Sequence, residues 1–372
     1  MFHVMDVQAA IAARRARGLD VISLAAGQPS TSAPAPVLAA TKRALGESLL
    51  GYTESLGIAP LREAIAGHYR ERYDVPVEPD DVVVTTGSSG AFTLIFLAAF
   101  DAGDTVAMAR PGYPAYRNTL AALGCEVVEL DCGPETRFQP TVAMLDALER
   151  PPAGLIVASP ANPTGTILAP AELADLARWC DAHGTLLISD EIYHGISYGR
   201  ETSCAWSTSR QSVVMGSVSK YFSMTGWRLG WMLVPAPLRR PVERLTANLT
   251  ICAPAISQYA AVAAFGPESK VELDGHVMRY ARNRELLLGG LADLGIDDIA
   301  PPDGAFYVYA DLGERTDDSL GWCEGVLEQT GVAMAPGLDF DTRHGNRTVR
   351  MSFAGATDDI ALALERLAPV LL

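Results

Sequence analysis

Lysine is rare in this chain. Lys220 is one of three lysines set against 26 arginines, in the segment GSVSKYFSMTGWRLGW that runs from Gly216 to Trp231. An amine can lose its proton when desolvated and attack a carbonyl, whereas a guanidinium stays protonated at any accessible pH. Schiff-base chemistry is the sharp reading of Lys220; a surface lysine on a strand-to-helix turn is the bland one. Three other segments bear on the choice. Asp190 and Glu191 form an acidic pair in SDEIYH, Ser189 to His194, after a run of apolar residues where a charge is costly to bury. Asn162 lies between prolines in SPANPTG, Ser159 to Gly165. In TTGSSGAF, Thr85 to Phe92, Gly87 permits a tight turn and the amides of Ser88 and Ser89 stand at a helix start, where unpaired N–H groups and the helix dipole favour an anion. A lone Gly/Ser turn of this kind is otherwise a plain helix cap. It is neither G-x-G-x-x-G nor a Walker sequence, so dinucleotides and nucleotides are poor candidates.

The elements that must hold these groups are legible as short apolar, β-branched runs: 82–86, 105–109, 126–131, 155–159, 186–190, 213–217 and 229–234. Amphipathic stretches separate them; in Ala171 to His183, for example, Leu173, Leu176, Ala177 and Cys180 recur at helical spacing. Continuously apolar strands alternating with helices indicate a mostly parallel sheet covered on both faces. In such sheets ligands sit beyond the carboxyl ends of the strands, and Asn162, Asp190 and Lys220 each fall there. After about residue 270 a long helix is expected over 272–290, followed by strands near 305–310, 332–335 and 347–353. The fold class is therefore α/β: a large domain (37–273) with a seven-stranded, mostly parallel sheet, and a smaller α+β domain made from 1–36 and 274–372.

Bulk composition narrows the partners. A net charge of -15 repels nucleic acid and anionic membranes. Cys125, Cys132, Cys180, Cys204, Cys252 and Cys323 show no C-x-x-C pair and no metal-like spacing, which reads as reduced thiols in a cytoplasmic protein. No signal peptide is expected at the start, and the longest apolar stretch, Ala91 to Phe100, is too short to cross a bilayer.

The ordered series GSSG, PGYP (Pro111 to Pro114), NPTG, SDEIY, SVSK, MTGWR and RMSF (Arg350 to Phe353) resembles, over nearly the whole chain, the class I/II aminotransferases of the fold-type I pyridoxal-phosphate (PLP) enzymes. The resemblance implies that Lys220 carries the cofactor as a Schiff base and moves the substrate's Cα proton. It implies that Asp190 pairs with the pyridine nitrogen, that Tyr193 and Asn162 bond the ring's phenolic oxygen, and that Tyr113 stacks on the ring. The phosphate would be held by Ser88, Ser89, Ser217, Ser219 and Arg228, and by Tyr52 of a neighbouring subunit, making a homodimer with shared active sites. Arg350 would grip the substrate carboxylate, assisted by Asn162 and the backbone of Gly27. The substrates implied are an amino acid and a 2-oxo acid, exchanged by a ping-pong mechanism.

Which amino acid is a finer question. Dicarboxylate-preferring relatives place a second basic group near the side-chain pocket, and some carry a lysine in the loop that here reads Ser88-Ser89-Gly90; that lysine is missing. Phe2, Val4, Tyr52, Tyr113 and Phe306 are the expected neighbours and favour valine, alanine, leucine or an aromatic amino acid. The rivals are an aspartate/2-oxoglutarate enzyme using an arginine from the other subunit, a C–S β-lyase, and, more remotely, a non-catalytic sensor on the same fold. Glu191 is expected to be structural, paired with an arginine. His194 is read as a packed or solvated residue, Trp227 and Trp231 as core or interface, and Arg239-Arg240 as a solvated helix start.

Overall fold

The computed structural model describes residues 3–371. A two-residue strand, β1 (Ile22–Ser23), precedes the main sheet, which contains β2 (Val82–Thr85), β3 (Thr105–Arg110), β4 (Glu126–Asp131), β5 (Gly154–Ala158), β6 (Leu186–Asp190), β7 (Val213–Ser217) and β8 (Gly230–Leu233). Their order across the sheet is β2-β8-β7-β6-β5-β3-β4, with β8 the one antiparallel member. Each strand matches an apolar run of the sequence to within about one residue.

Both faces of this sheet are dry. Alternate residues divide between two cores: Val83, Ile156, Ile188 and Met215 point to one, and Val84, Leu155, Leu187 and Val214 to the other. Helix Gly87–Ala99 covers the first face, while helices Ala59–Tyr73 and Pro170–His183 pack on the second. That double cover is why the strands lack the polar alternation of a half-exposed sheet.

The remaining strands are β9 (Tyr307–Asp311), β10 (Val332–Ala333), β11 (Ala335–Pro336) and β12 (Thr348–Ser352). The run expected as one strand at 332–335 is divided: β10 pairs in parallel with β1, and β11 joins the antiparallel order β11-β12-β9. The chain switches partner at Met334. The long helix runs Pro267–Asp293, starting five residues before the expected 272, because Pro267 at its first turn is pre-set for helix entry.

Two charged expectations also change. Arg239 is half-buried, bonded to Val234 O at 3.2 Å and ion-paired with buried Asp81, so only Arg240 behaves as a solvated residue, paired with Glu243 at 2.6 Å. Glu191 has no arginine partner among the described residues; its carboxylate accepts from Ser189 Oγ (3.0 Å) and the Ala205 amide (2.8 Å). Burial pushes this carboxyl up to about 8. His194 is packed, bonded to Tyr73 Oη at 2.7 Å and driven down to about 3 by burial, and Trp231 is a core residue.

Candidate active site

Three strands of the main sheet deliver their last residues to one edge. Asp190 ends β6, the SVSK turn follows β7, and the Gly87–Ala99 helix begins just after β2, where Thr85 and Ser217 both pair with Gly230. Asn162 follows β5. From the other side β12 brings Arg350 and β9 brings Tyr307. Between these elements lies a cavity of about 370 Å³ lined by Ser88, Ser89, Ser219 and Gly27 as well as the larger groups.

Asp190 is buried, its Oδ1 accepting from the Ile192 amide at 3.2 Å and its Oδ2 from the Tyr116 hydroxyl. Burial raises this carboxyl to about 6, against the downward pull of Tyr116, Ile192 and Lys220. Lys220 is half-buried at the cavity wall and donates from Nζ to Gly27 O at 2.6 Å. Desolvation, aided by the positive charge of Arg350, brings its amine down to about 8. Its Nζ stands 5.4 Å from the Tyr193 ring, and Tyr193 Oη shares a 2.7 Å hydrogen bond with Tyr307 Oη.

Arg350 is held on every side. It donates to Asn162 Oδ1 at 2.9 Å and to Ala25 O at 2.7 Å, with its guanidinium 4.4 Å from the Tyr307 ring centre and 4.8 Å from that of Phe340. Its Nε is a buried donor with no hydrogen-bond partner among the described residues, on a residue only 4% exposed. At the opposite end Arg228 lies over the start of the Gly87–Ala99 helix, donating to Thr225 O at 3.0 Å. Gly87 has φ +71, and a Cβ there would stand 2.6 Å from Arg228 Nη2.

Nearly every residue expected from the sequence is brought here. Tyr113 lines the cavity edge-on to Tyr116, ring centres 5.3 Å apart, and Val4 lines it too. Ser217 is buried just behind, donating to Leu229 O (3.3 Å) and accepting from the Ser219 amide (3.0 Å). Tyr52 is not brought in: it is 82% exposed, away from this cavity. Phe306 is buried against Tyr193 rather than lining the cavity, and Phe2 lies outside the described residues. Tyr116, Tyr307 and Phe340 escaped the sequence reading. Tyr116 had a signal, since it stands three residues after Tyr113 on one helical face; Tyr307 sits in an apolar run and Phe340 in a polar turn between Asp339 and Asp341, and neither had one.

A buried carboxylate, a desolvated amine and a fixed guanidinium around one cavity define a site for carbonyl chemistry on amino acids. The family model of aminotransferase class I and II matches residues 19–367, and the chain belongs to that family. It is 60% identical over 368 residues to a valine–pyruvate aminotransferase of Mycobacterium tuberculosis, covering 98% of this chain and 95% of that one. It is 34% identical to an aspartate/prephenate aminotransferase of Thermus thermophilus, over 96% and 92% of the two chains. An aminotransferase crystal structure from Mycobacterium tuberculosis superposes with a TM-score of 0.98 at 59% identity, covering 100% of this chain and 96% of that one. The aspartate aminotransferase of Thermus thermophilus with maleate superposes with a TM-score of 0.94 at 33% identity, covering 100% and 97%.

The protein is thus a PLP-dependent aminotransferase, and its residues suit that cofactor. Asp190 is a buried ionisable group with no cation salt-bridged to it among the described residues, the setting for a protonated ring nitrogen. The glycine start of a helix, roofed by Arg228, suits a phosphate dianion.

Proposed function

We propose that this aminotransferase moves the amino group of valine, or of a closely similar neutral amino acid, to pyruvate. The observation that carries the reading is the 60% identity to a valine–pyruvate aminotransferase over 98% of the chain. The cavity supports it: its basic lining side chains among the described residues are Lys220, Arg228 and Arg350, which leaves none to pair with a second carboxylate. Val4, Met5 and Ile192 offer an apolar surface instead.

Bound PLP supplies an electron sink that acidifies the substrate's Cα–H. Lys220 would hold the cofactor until the substrate's amine displaces it, and its freed Nζ would then take the Cα proton. Asp190, ionised at neutral pH, keeps the ring nitrogen protonated. Tyr193 and Asn162 serve the phenolic oxygen, and Tyr113 covers the ring. Ser88, Ser89, Ser219 and Arg228 bind the phosphate, with Ser217 bracing the turn behind them. Arg350 takes the substrate carboxylate, with Asn162 fixing its angle and Gly27 beside it.

The rest of the reading concerns the setting. Tyr52 reaches the phosphate of a second subunit in a homodimer; its exposure, with that of Leu49 at 98%, suits a covered surface. The division into 37–273 and its complement stays our reading, with helix Pro267–Asp293 carrying the chain across residue 273 unbroken. Six unpaired thiols suit the cytoplasm, and no helix among the described residues is long and apolar enough to cross a membrane.

Adding amino acids singly to the holoenzyme while following cofactor absorbance tests the substrate. Valine is expected to discharge the absorbance fastest, with pyruvate restoring it. Aspartate and 2-oxoglutarate as much the best pair would sink the reading, and pyruvate released from cystathionine without an acceptor would favour the β-lyase.

A further inference from the structure

One turn of the small sheet braces both the Arg350 clamp and the helix start that carries Val4 and Met5. It spans Gly337 to Phe340 directly after β11, fixed by the Phe340 amide bonding Gly337 O at 2.8 Å. Phe340 lies under the Arg350 guanidinium, 4.8 Å from ring centre to Cζ. Its carbonyl accepts from the Gly112 amide at 2.9 Å, next to Tyr113. Asp339, beside it, is 2% exposed, and its two carboxylate oxygens accept from the His3 amide (2.8 Å) and the Val4 amide (2.6 Å) that open helix His3–Ala16. Arg117 clamps the same turn by donating to Asp339 O at 3.1 Å.

We propose that Asp339 is a positioning residue for substrate choice: it pins the first turn of helix His3–Ala16 so that Val4 and Met5 form the wall met by the substrate's side chain. The inference rests on the valine reading. A carboxylate on free helix-start amides is a strong local tie, because it satisfies donors that have no partner within the helix. The rest of the helix is held by Val7 and Ile11 in the same apolar cluster as Phe340. Val4 leans on that cluster too, whereas Met5 is 59% exposed, so loss of the Asp339 tie loosens the first turn and with it Met5 while leaving the helix docked. The wall and the carboxylate clamp are set by adjacent residues, so the distance from Arg350 to the wall is fixed by one rigid turn.

The test uses the holoenzyme and its Asp339→Asn variant, with valine and alanine as donors and 2-oxobutyrate as their common acceptor. Losing one charged cap should raise the KM for valine about ten-fold, with kcat and the KM for alanine changed less than about two-fold. The cofactor dissociation constant should stay put, and amide exchange should quicken at residues 3–6 only. Met5→Ala, which cannot disturb the turn, should give the same valine-specific loss, and the double variant should add little to either. Equal losses for both amino acids, a weakened cofactor, or additive effects of Asp339→Asn and Met5→Ala would each overturn the proposal. Failure of the valine reading shows separately, as a preference of the unsubstituted enzyme for aspartate, and takes this inference with it. Failure of the inference alone is an unsubstituted enzyme that prefers valine, paired with an Asp339→Asn variant of unchanged valine-to-alanine ratio.

Discussion

Lys220 differs from Lys42 and Lys270 in its surroundings. The latter two are exposed, and Lys270 pairs with Asp274 at 2.6 Å, whereas Lys220 is desolvated and faces Arg350. With its amine brought down to about 8, about one Lys220 in ten is neutral at pH 7; an ordinary lysine at 10.5 offers about one in three thousand. Covalent capture of PLP by the apoprotein should therefore speed up about ten-fold per pH unit and level off above about pH 8. Asp190, raised to about 6, loses its charge as pH falls through that value, so capture should weaken further below it. Stopped-flow absorbance across pH 5 to 10 checks both limbs, and a plateau displaced to pH 10 would show that the pocket does not lower the amine. Lys220→Arg keeps the charge and should leave nothing for borohydride to fix, while the same change at Lys42 or Lys270 should be silent. Asn162, Asp190 and Lys220 could be read from the sequence because each is a polar residue placed after an apolar run, whereas Tyr113, Arg228 and Arg350 were legible through the family's ordered motifs. Tyr307 and Phe340 could not, because their task depends on a guanidinium that approaches from a different strand.

The strands were legible for the same physical reason that makes the sheet stable. A strand buried on both faces must be apolar at nearly every position, and six such runs stand out against polar turns, while the edge strand β4, with Glu126, Glu129 and Asp131, is half-exposed. Pairing within the small sheet was harder to see, because strands of two residues are specified by partners and not by pattern; the switch at Met334 is one case. The Gly87–Ala99 helix shows how an element serves the site. Its first residue has φ +71 and leaves room for Arg228, so glycine is demanded by backbone and by space at once. Gly87→Ala should cost about 1–2 kcal/mol in backbone conformation alone and lower the melting temperature by a few degrees. The displaced Arg228 should also weaken PLP, read by fluorescence titration of the apoprotein. A variant with unchanged melting and unchanged cofactor affinity would mean that the turn is not the phosphate cradle.

At the scale of the whole molecule the cavity is well walled on the Asp190 and Arg350 sides and open beside Arg228, which is exposed in the single chain. Tyr52 and Leu49 stand out on the surface with little of their own chain around them. A homodimer reconciles these facts if Tyr52 of one subunit completes the phosphate end of the other. Tyr52→Phe would then keep the assembly, at about twice the 39.6 kDa of the chain, and weaken PLP by about ten-fold through one lost hydrogen bond to a charged group. Mixing separates a shared site from a self-contained one. In a mixed dimer of a Tyr52→Phe subunit with a Lys220→Arg subunit, the intact lysine meets the intact tyrosine across the interface, and both defects fall in the other site. Half of the sites should then bind PLP covalently with unimpaired affinity. If each chain completes its own site, every lysine-bearing site in the mixture keeps the weakened affinity of Tyr52→Phe, and the sharing of sites is disproved.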